Sequence, residues 1–231
     1  MLPKPETTMT TEETLVNRLI LHANDIQAPG LLHGQMGAVL VIATYAGQLS
    51  KPYLDNAADF LYNIVVSQIT NRTDIDFASG LAGISWGVEY LTQNGILPGV
   101  GNDICSDMDK QIMTLDIRRI NDFSLESGLL GLWTCVWARI QGNLMAGLPL
   151  PFDSVYLKDW SNVLEQHADR FPRGAYRRLQ NAINGNLDYE PLDFRLFVTP
   201  MNQVPETNMS LSNGIAGYIA LNYLKQNEEI I

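Results

Sequence analysis

Two kinds of segment alternate along the chain. The first is apolar on every side: Met36 to Ala46, Leu81 to Leu91, Leu129 to Ile140 and Ile215 to Leu224 carry almost no charge. A helix of that composition has no face to offer water and is expected to be buried all round. The second kind is amphipathic. Leu54, Ala57, Ala58, Leu61 and Val65 recur at helical spacing between Tyr53 and Ile69. Trp160, Val163, Leu164, His167 and Phe171 do the same further on, which predicts an interior histidine at 167. Pro52, Pro98, Pro149 and Pro151 are expected in the connections. The pattern predicts an all-α chain in which buried inner helices alternate with amphipathic outer ones. It reads as one domain over 1–231, with residues 1–11 flexible.

Each inner segment opens on the same signature. The four copies are Gly30 to Gly37, Asp76 to Gly83, Ser124 to Gly131 and Ser210 to Gly217, each ending in G-x-x-G: Gly34 and Gly37, Gly80 and Gly83, Gly128 and Gly131, Gly214 and Gly217. Three positions before each first glycine stands a large apolar residue: Leu31, Phe77, Leu125 or Leu211. Immediately before it stands a polar one: His33, Ser79, Ser127 or Asn213. The first glycines are 46, 48 and 86 residues apart, so one repeat between about 150 and 200 has lost its signature. Ser79, Ser127 and Asn213 are of the types that cap helices. The paired glycines then lie one turn apart, on a face that another backbone can approach closely.

An array of such hairpins is an α/α solenoid, and convergence of its inner helices closes it into a toroid or partial ring. The inner-helix starts then gather at one end of a central cavity, where free amides and helix dipoles favour an anionic or polar ligand. His33, Ser79, Ser127, Ser212 and Asn213 are the residues expected there, with Trp86 and Trp133 lining the cavity wall.

Composition narrows the function classes. The net charge of −10 repels nucleic-acid phosphates and anionic lipid, so neither is expected as a partner. Apolar runs of roughly 10–15 residues suit core helices better than membrane spans. Met1 to Glu13 has no cationic and apolar leader, which predicts a cytoplasmic protein. Cys105 and Cys135 are too few for a disulfide framework. Cys105 is expected on the approach to an outer helix, and Cys135 as a small buried hydrophobe.

On its four signatures, especially Ser210 to Gly217 and Leu32 to Gly37, the chain resembles the lanthionine synthetase C-like (LanC-like) family over about residues 12–226. The resemblance implies an α/α toroid and a role in thioether maturation of ribosomal peptides, with a precursor peptide or a peptide-modifying enzyme as partner. Family enzymes add cysteine thiols to dehydrated serine or threonine at a zinc ion. The family's zinc ligands include a Cys-His pair just before a repeat glycine. Here the corresponding pairs are Leu32-His33, Ala78-Ser79, Glu126-Ser127 and Ser212-Asn213. Zinc needs three or four converging ligands, so the expectation is no metal, no cofactor and a non-catalytic binding protein.

Other residues admit more than one reading. His33 is either an acid/base or ligand group or a cap bonded to a neighbouring loop. Asp76 and Glu126 are either a catalytic pair of a carbohydrate-active α/α-toroid enzyme, the alternative function, or acids that stabilise helix starts. Trp86, Trp133 and Trp137 line a ligand cavity or fill the core. Arg170, Arg173, Arg177 and Arg178 bind an acidic partner or form a solvated helix face.

Overall fold

The computed structural model describes residues 10–49 and 51–224. Among the described residues the regular structure is helical: α1 (Thr11–His22), α2 (Gln35–Leu49), α3 (Pro52–Ser67), α4 (Leu81–Gln93), α5 (Asn102–Ile112), α6 (Leu129–Met145), α7 (Ser154–Gln166), α8 (Ala175–Ile183) and α9 (Ile215–Asn222), with no strand. None of these helices is long and apolar enough to cross a membrane.

The burial pattern follows the sequence pattern. In α2 every residue from Gln35 to Ala43 is buried, and in α4 every residue from Leu81 to Leu91. In α3 the buried residues are Leu54, Ala58, Leu61 and Val65, a single stripe. α7 buries Tyr156, Leu157, Trp160, Val163 and Leu164. The apolar helices pack in the order α6, α4, α2, α9, while α3 lies on α2, α5 on α4, and α8 on α6 and α7.

Several local expectations are corrected. Pro52 is the first residue of α3, where its missing amide costs nothing. α7 stops at Gln166, and His167 is exposed, its ring 4.9 Å from that of Phe123, because the chain leaves the helix before the apolar stripe would bring it inward. Cys105 lies within α5 itself. Thr10 caps α1 by accepting from the Glu13 amide, and α1 begins at Thr11; the rest of the stretch expected to be flexible lies outside the described residues.

The helix caps are also different. The cap residues of α4, α6 and α9 are the first glycines, Gly80, Gly128 and Gly214, not Ser79, Ser127 and Asn213. The polar side chains are used one step earlier, inside the turn. Ser127 Oγ donates to Asp122 Oδ2 at 2.8 Å, and Asn208 Nδ2 donates to Asn213 Oδ1 at 2.7 Å. Only the second glycine of each pair therefore lies within a helix.

The glycines answer to space and not to dihedral angle, since these caps are in extended backbone. At each second glycine a Cβ would strike the carbonyl of the large apolar residue that stands three before its own first glycine. It would also crowd the apolar side chain of an adjacent turn: Leu211 at Gly37, Leu31 at Gly83, Phe77 at Gly131 and Val198 at Gly217, all under 3.0 Å. Backbone hydrogen bonds join the same turns in series. The Ser212 amide donates to the Leu32 carbonyl (3.0 Å), Leu32 to Ala78 (2.9 Å), and Ala78 to Glu126 (3.0 Å). These four residues hold the same position, two before the first glycine. Thr199 donates to Ser212 at 2.8 Å, so Val198 and Thr199 make at the Ser210 turn the contacts that Leu31 and Leu32 make at the Asp76 turn.

Candidate functional site

The signature turns bring His33 and Glu126 within reach: Nε2 to Oε1 is 3.6 Å, with both side chains well exposed. Their backbones meet at the second turn, where His33 donates to the Ala78 carbonyl and Ala78 donates to Glu126. Asp76 Oδ1 accepts from the Ser79 amide at 2.7 Å, so this carboxylate is occupied in shaping its own turn. Ser212 contributes through its backbone, donating to Leu32 and accepting from Thr199. A shallow cleft beside these turns includes His22, Asp25, His33, Asn208 and Ser210, and His22 Nδ1 is 3.0 Å from Asp25 Oδ2. Among the described residues no three His, Cys, Asp or Glu side chains converge to hold a metal ion. Cys105 and Cys135 are fully buried, and burial pushes both thiols well up.

The three tryptophans gather at a different place. Trp86 on α4 and Trp133 and Trp137 on α6 line a half-open cleft of about 160 Å³, together with Thr134, Pro172, Arg178, Phe197 and the segment Glu190 to Asp193. The residue spacing on α6 stacks Trp133 and Trp137 at 6.0 Å with 24° between their planes. Phe197 closes the other side, edge-on to Trp86 at 4.9 Å and to Phe77 at 5.2 Å. Phe194, next to it, sits edge-on to Tyr90 at 5.0 Å. The indoles are therefore both core and cleft lining.

One buried side chain, Gln141, anchors the polar rim of the cleft. Gln141 on α6 clamps the Glu190 backbone from both sides: its Nε2 donates to the Glu190 carbonyl (2.8 Å) and its Oε1 accepts from the Glu190 amide (2.9 Å). Glu190 Oε2 in turn accepts from Arg178 Nη1 at 2.6 Å, and the Arg178 guanidinium lies 5.8 Å from the centre of the Trp137 ring. Asp193 accepts from Arg195 Nε and Nη2, both at 2.8 Å. Two donors at this cleft stay unmatched among the described residues: Trp137 Nε1 and Arg178 Nε, both buried.

The basic cluster of the sequence is dispersed by this arrangement. Arg178 turns into the cleft, Arg170 lies over Phe123, and Arg177 faces Asp188 at 4.0 Å. A second group of charges is one the sequence pattern missed. Glu89 on α4 and Arg139 on α6 sit inside helices read as almost free of charge, and both are buried, as is Asp109 of α5, which pairs with Arg139. The available signal was that each is the one charged residue in its apolar helix. Burial raises the pKa of both carboxylates, against the pull of Arg139. With Arg139 fully buried and Glu89 1 % exposed, no substrate reaches this group, and its role is to tie helices together.

An all-α chain with an indole-lined cleft is thus what fold and site define. No family model, no curated protein and no solved structure matches it.

Proposed function

We propose that this chain is a degenerate LanC-like protein: a partial ring of helical hairpins that lacks the family's zinc site and binds a peptide instead of cyclising it. The peptide would be a precursor peptide or a segment of a peptide-modifying enzyme. The observation that carries the reading is the cleft formed by Trp86, Trp133 and Trp137, an apolar concavity with a few fixed polar groups. The serial hydrogen bonds from Thr199 through Ser212, Leu32 and Ala78 to Glu126 support the ring, because equivalent turns meet in one continuous order.

The test uses the intrinsic fluorescence of the cleft tryptophans. Titration with a blocked pentapeptide, acetyl-Ala-Ala-Phe-Ala-Ala-amide, is expected to give a saturable change. Thr134→Phe, which fills the cleft, is expected to abolish it while the thermal transition persists. The binding reading is overturned if the peptide does not bind or binds Thr134→Phe equally well. Thioether formation by the zinc-supplemented protein on a peptide carrying cysteine and dehydrobutyrine would overturn its non-catalytic part.

A further inference from the structure

We infer that the charge on Glu89 is a pH-sensitive latch on the tryptophan cleft: two glutamines carry its hydrogen bonding to the Glu190 rim, and a proton on Glu89 releases that rim. The effect on peptide binding rests on the cleft being a peptide site; the latch itself does not.

The rim fixes the first glutamine. The Glu190 amide needs an acceptor and its carbonyl a donor, so the Gln141 carboxamide can clamp them in one orientation only. Its Oε1 takes the amide (2.9 Å) and its Nε2 the carbonyl (2.8 Å). The second Nε2 hydrogen is donated to Gln93 Oε1 at 2.9 Å. That bond fixes the Gln93 carboxamide, whose Nε2 donates to the Ala138 carbonyl (3.1 Å) and to Glu89 Oε2 (2.8 Å). Every hydrogen of the two carboxamides is used, so neither can turn over without the other.

Glu89 closes the relay as an anion. Its Oε1 accepts from Arg139 Nη1 and its Oε2 from Gln93 Nε2. Both of these nitrogens only donate. A carboxylate satisfies both, whereas a carboxylic acid sets its O–H in competition with one of them. A Cβ at Gly101 would strike Oε1 and one at Gly142 would strike Oε2, so the carboxyl is walled on both sides.

The charged and titratable groups around Glu89 are Arg139 and Cys135 of α6 and Asp109 and Cys105 of α5. Arg139 keeps its charge at any working pH, and burial keeps both thiols neutral. Burial also moves Glu89 protonation up from the ordinary carboxylate range, against the pull of Arg139. A proton there turns Gln93, Gln93 turns Gln141, and the Glu190 backbone loses its clamp.

The test follows the isotope-labelled whole chain by NMR from about pH 8 to about pH 4. The side-chain amides of Gln93 and Gln141 and the backbone amide of Glu190 are expected to move with one shared midpoint. Glu190→Gln removes the rim's own carboxylate and should leave that midpoint in place. Glu89→Gln offers one acceptor oxygen to two donors. It should hold the three signals at their acidic positions and speed hydrogen exchange of the Glu190 amide about tenfold at neutral pH. Gln93→Met cuts the relay and should remove the midpoint from Gln141 and Glu190; it serves alone if Glu89→Gln does not fold. The absence of a shared midpoint in the wild type overturns the inference. So does a midpoint at Gln141 and Glu190 that survives either cut.

The pentapeptide separates this failure from failure of the function. It is expected to bind about fivefold more weakly below the midpoint than above it. If the three amides share a midpoint but the pentapeptide does not bind, the peptide function falls and the latch stands. If it binds equally on the two sides, the latch does not govern the cleft, and the inference falls while the function stands.

Discussion

Arg139 on α6 donates through Nε to Asp109 Oδ1 on α5 at 3.0 Å, in a place where neither side chain is more than 2 % exposed. The same guanidinium reaches Glu89 on α4 through Nη1, and Glu89 Oε2 also accepts from Gln93 Nε2 at 2.8 Å. Gly142 and Gly101 leave the space that the Glu89 carboxylate occupies. One cation thus joins three helices that the apolar pattern alone would let slide.

Removing that cation should be costly. Arg139→Met leaves two buried carboxylates without a counter-ion, and the expected loss is about 3–5 kcal/mol, the usual result of breaking a buried pair from one side. Glu89→Gln leaves an uncharged acceptor for Arg139 and should cost much less. Urea unfolding of the two variants checks this. Equal losses would mean that the charge balance is unimportant.

The two carboxylates also set a pH dependence. Burial raises the folded pKa of Glu89 and Asp109 above their ordinary values of 4.5 and 3.8. Their contribution is therefore fully present below those values and is lost as pH rises through the folded ones. Half-buried Glu13 and Asp116 and exposed Asp122 are shifted down by their hydrogen bonds and act oppositely, losing their contribution as pH falls through their lowered values. Stability followed from pH 4 upward should decline more in the wild type than in Glu89→Gln. Parallel curves would reject the assignment.

The signature glycines should resist even one methyl group. At Gly131 a Cβ would crowd Phe77 and the Leu125 carbonyl, so Gly131→Ala is expected to cost about 1–3 kcal/mol through overpacking. Gly47 lies in α2 with nothing near its absent Cβ. Gly47→Ala should stabilise by about 0.5–1 kcal/mol through helix propensity. Thermal unfolding of the two variants should move in opposite directions.

The cysteines should be silent in the folded protein. Burial raises both thiols. A thiol reagent such as Ellman's should label neither in buffer and both in denaturant. Labelling of either in the native state would show that its helix opens easily.

The contact between His33 and Glu126 should matter little to folding. Both side chains are well exposed, and an exposed pair at 3.6 Å contributes about 0–1 kcal/mol. His33→Ala is expected to unfold within about 0.5 kcal/mol of the wild type. A larger loss would give this pair a structural role.

Much of the helical layout was legible in the chain. Uniformly apolar runs must be buried as helices, and a single stripe at helical spacing must face the core, because water excludes apolar surface whatever the partner. The repeated Leu or Phe three before each first glycine was also visible. Its use was not: only contact between turns shows that Leu31 fills the space left by Gly83, and Phe77 that left by Gly131. The caps differ from the pattern because Ser127 and Asn213 satisfy turn partners instead of helix amides. His167 lies outside the core because a helix end is set by local backbone geometry that a periodic pattern does not record.

The sequence by itself determined the all-helical class, which segments are buried, and the glycine-marked starts. These depend on spacing along one chain and on the aversion of apolar groups to water. The tertiary structure alone decided that Arg139 meets Glu89 and Asp109 across 50 and 30 residues, and that Arg178 leaves a basic cluster to join Trp137 and Glu190 at the cleft. Such meetings depend on how whole helices are placed relative to one another, and short-range periodicity does not encode that placement.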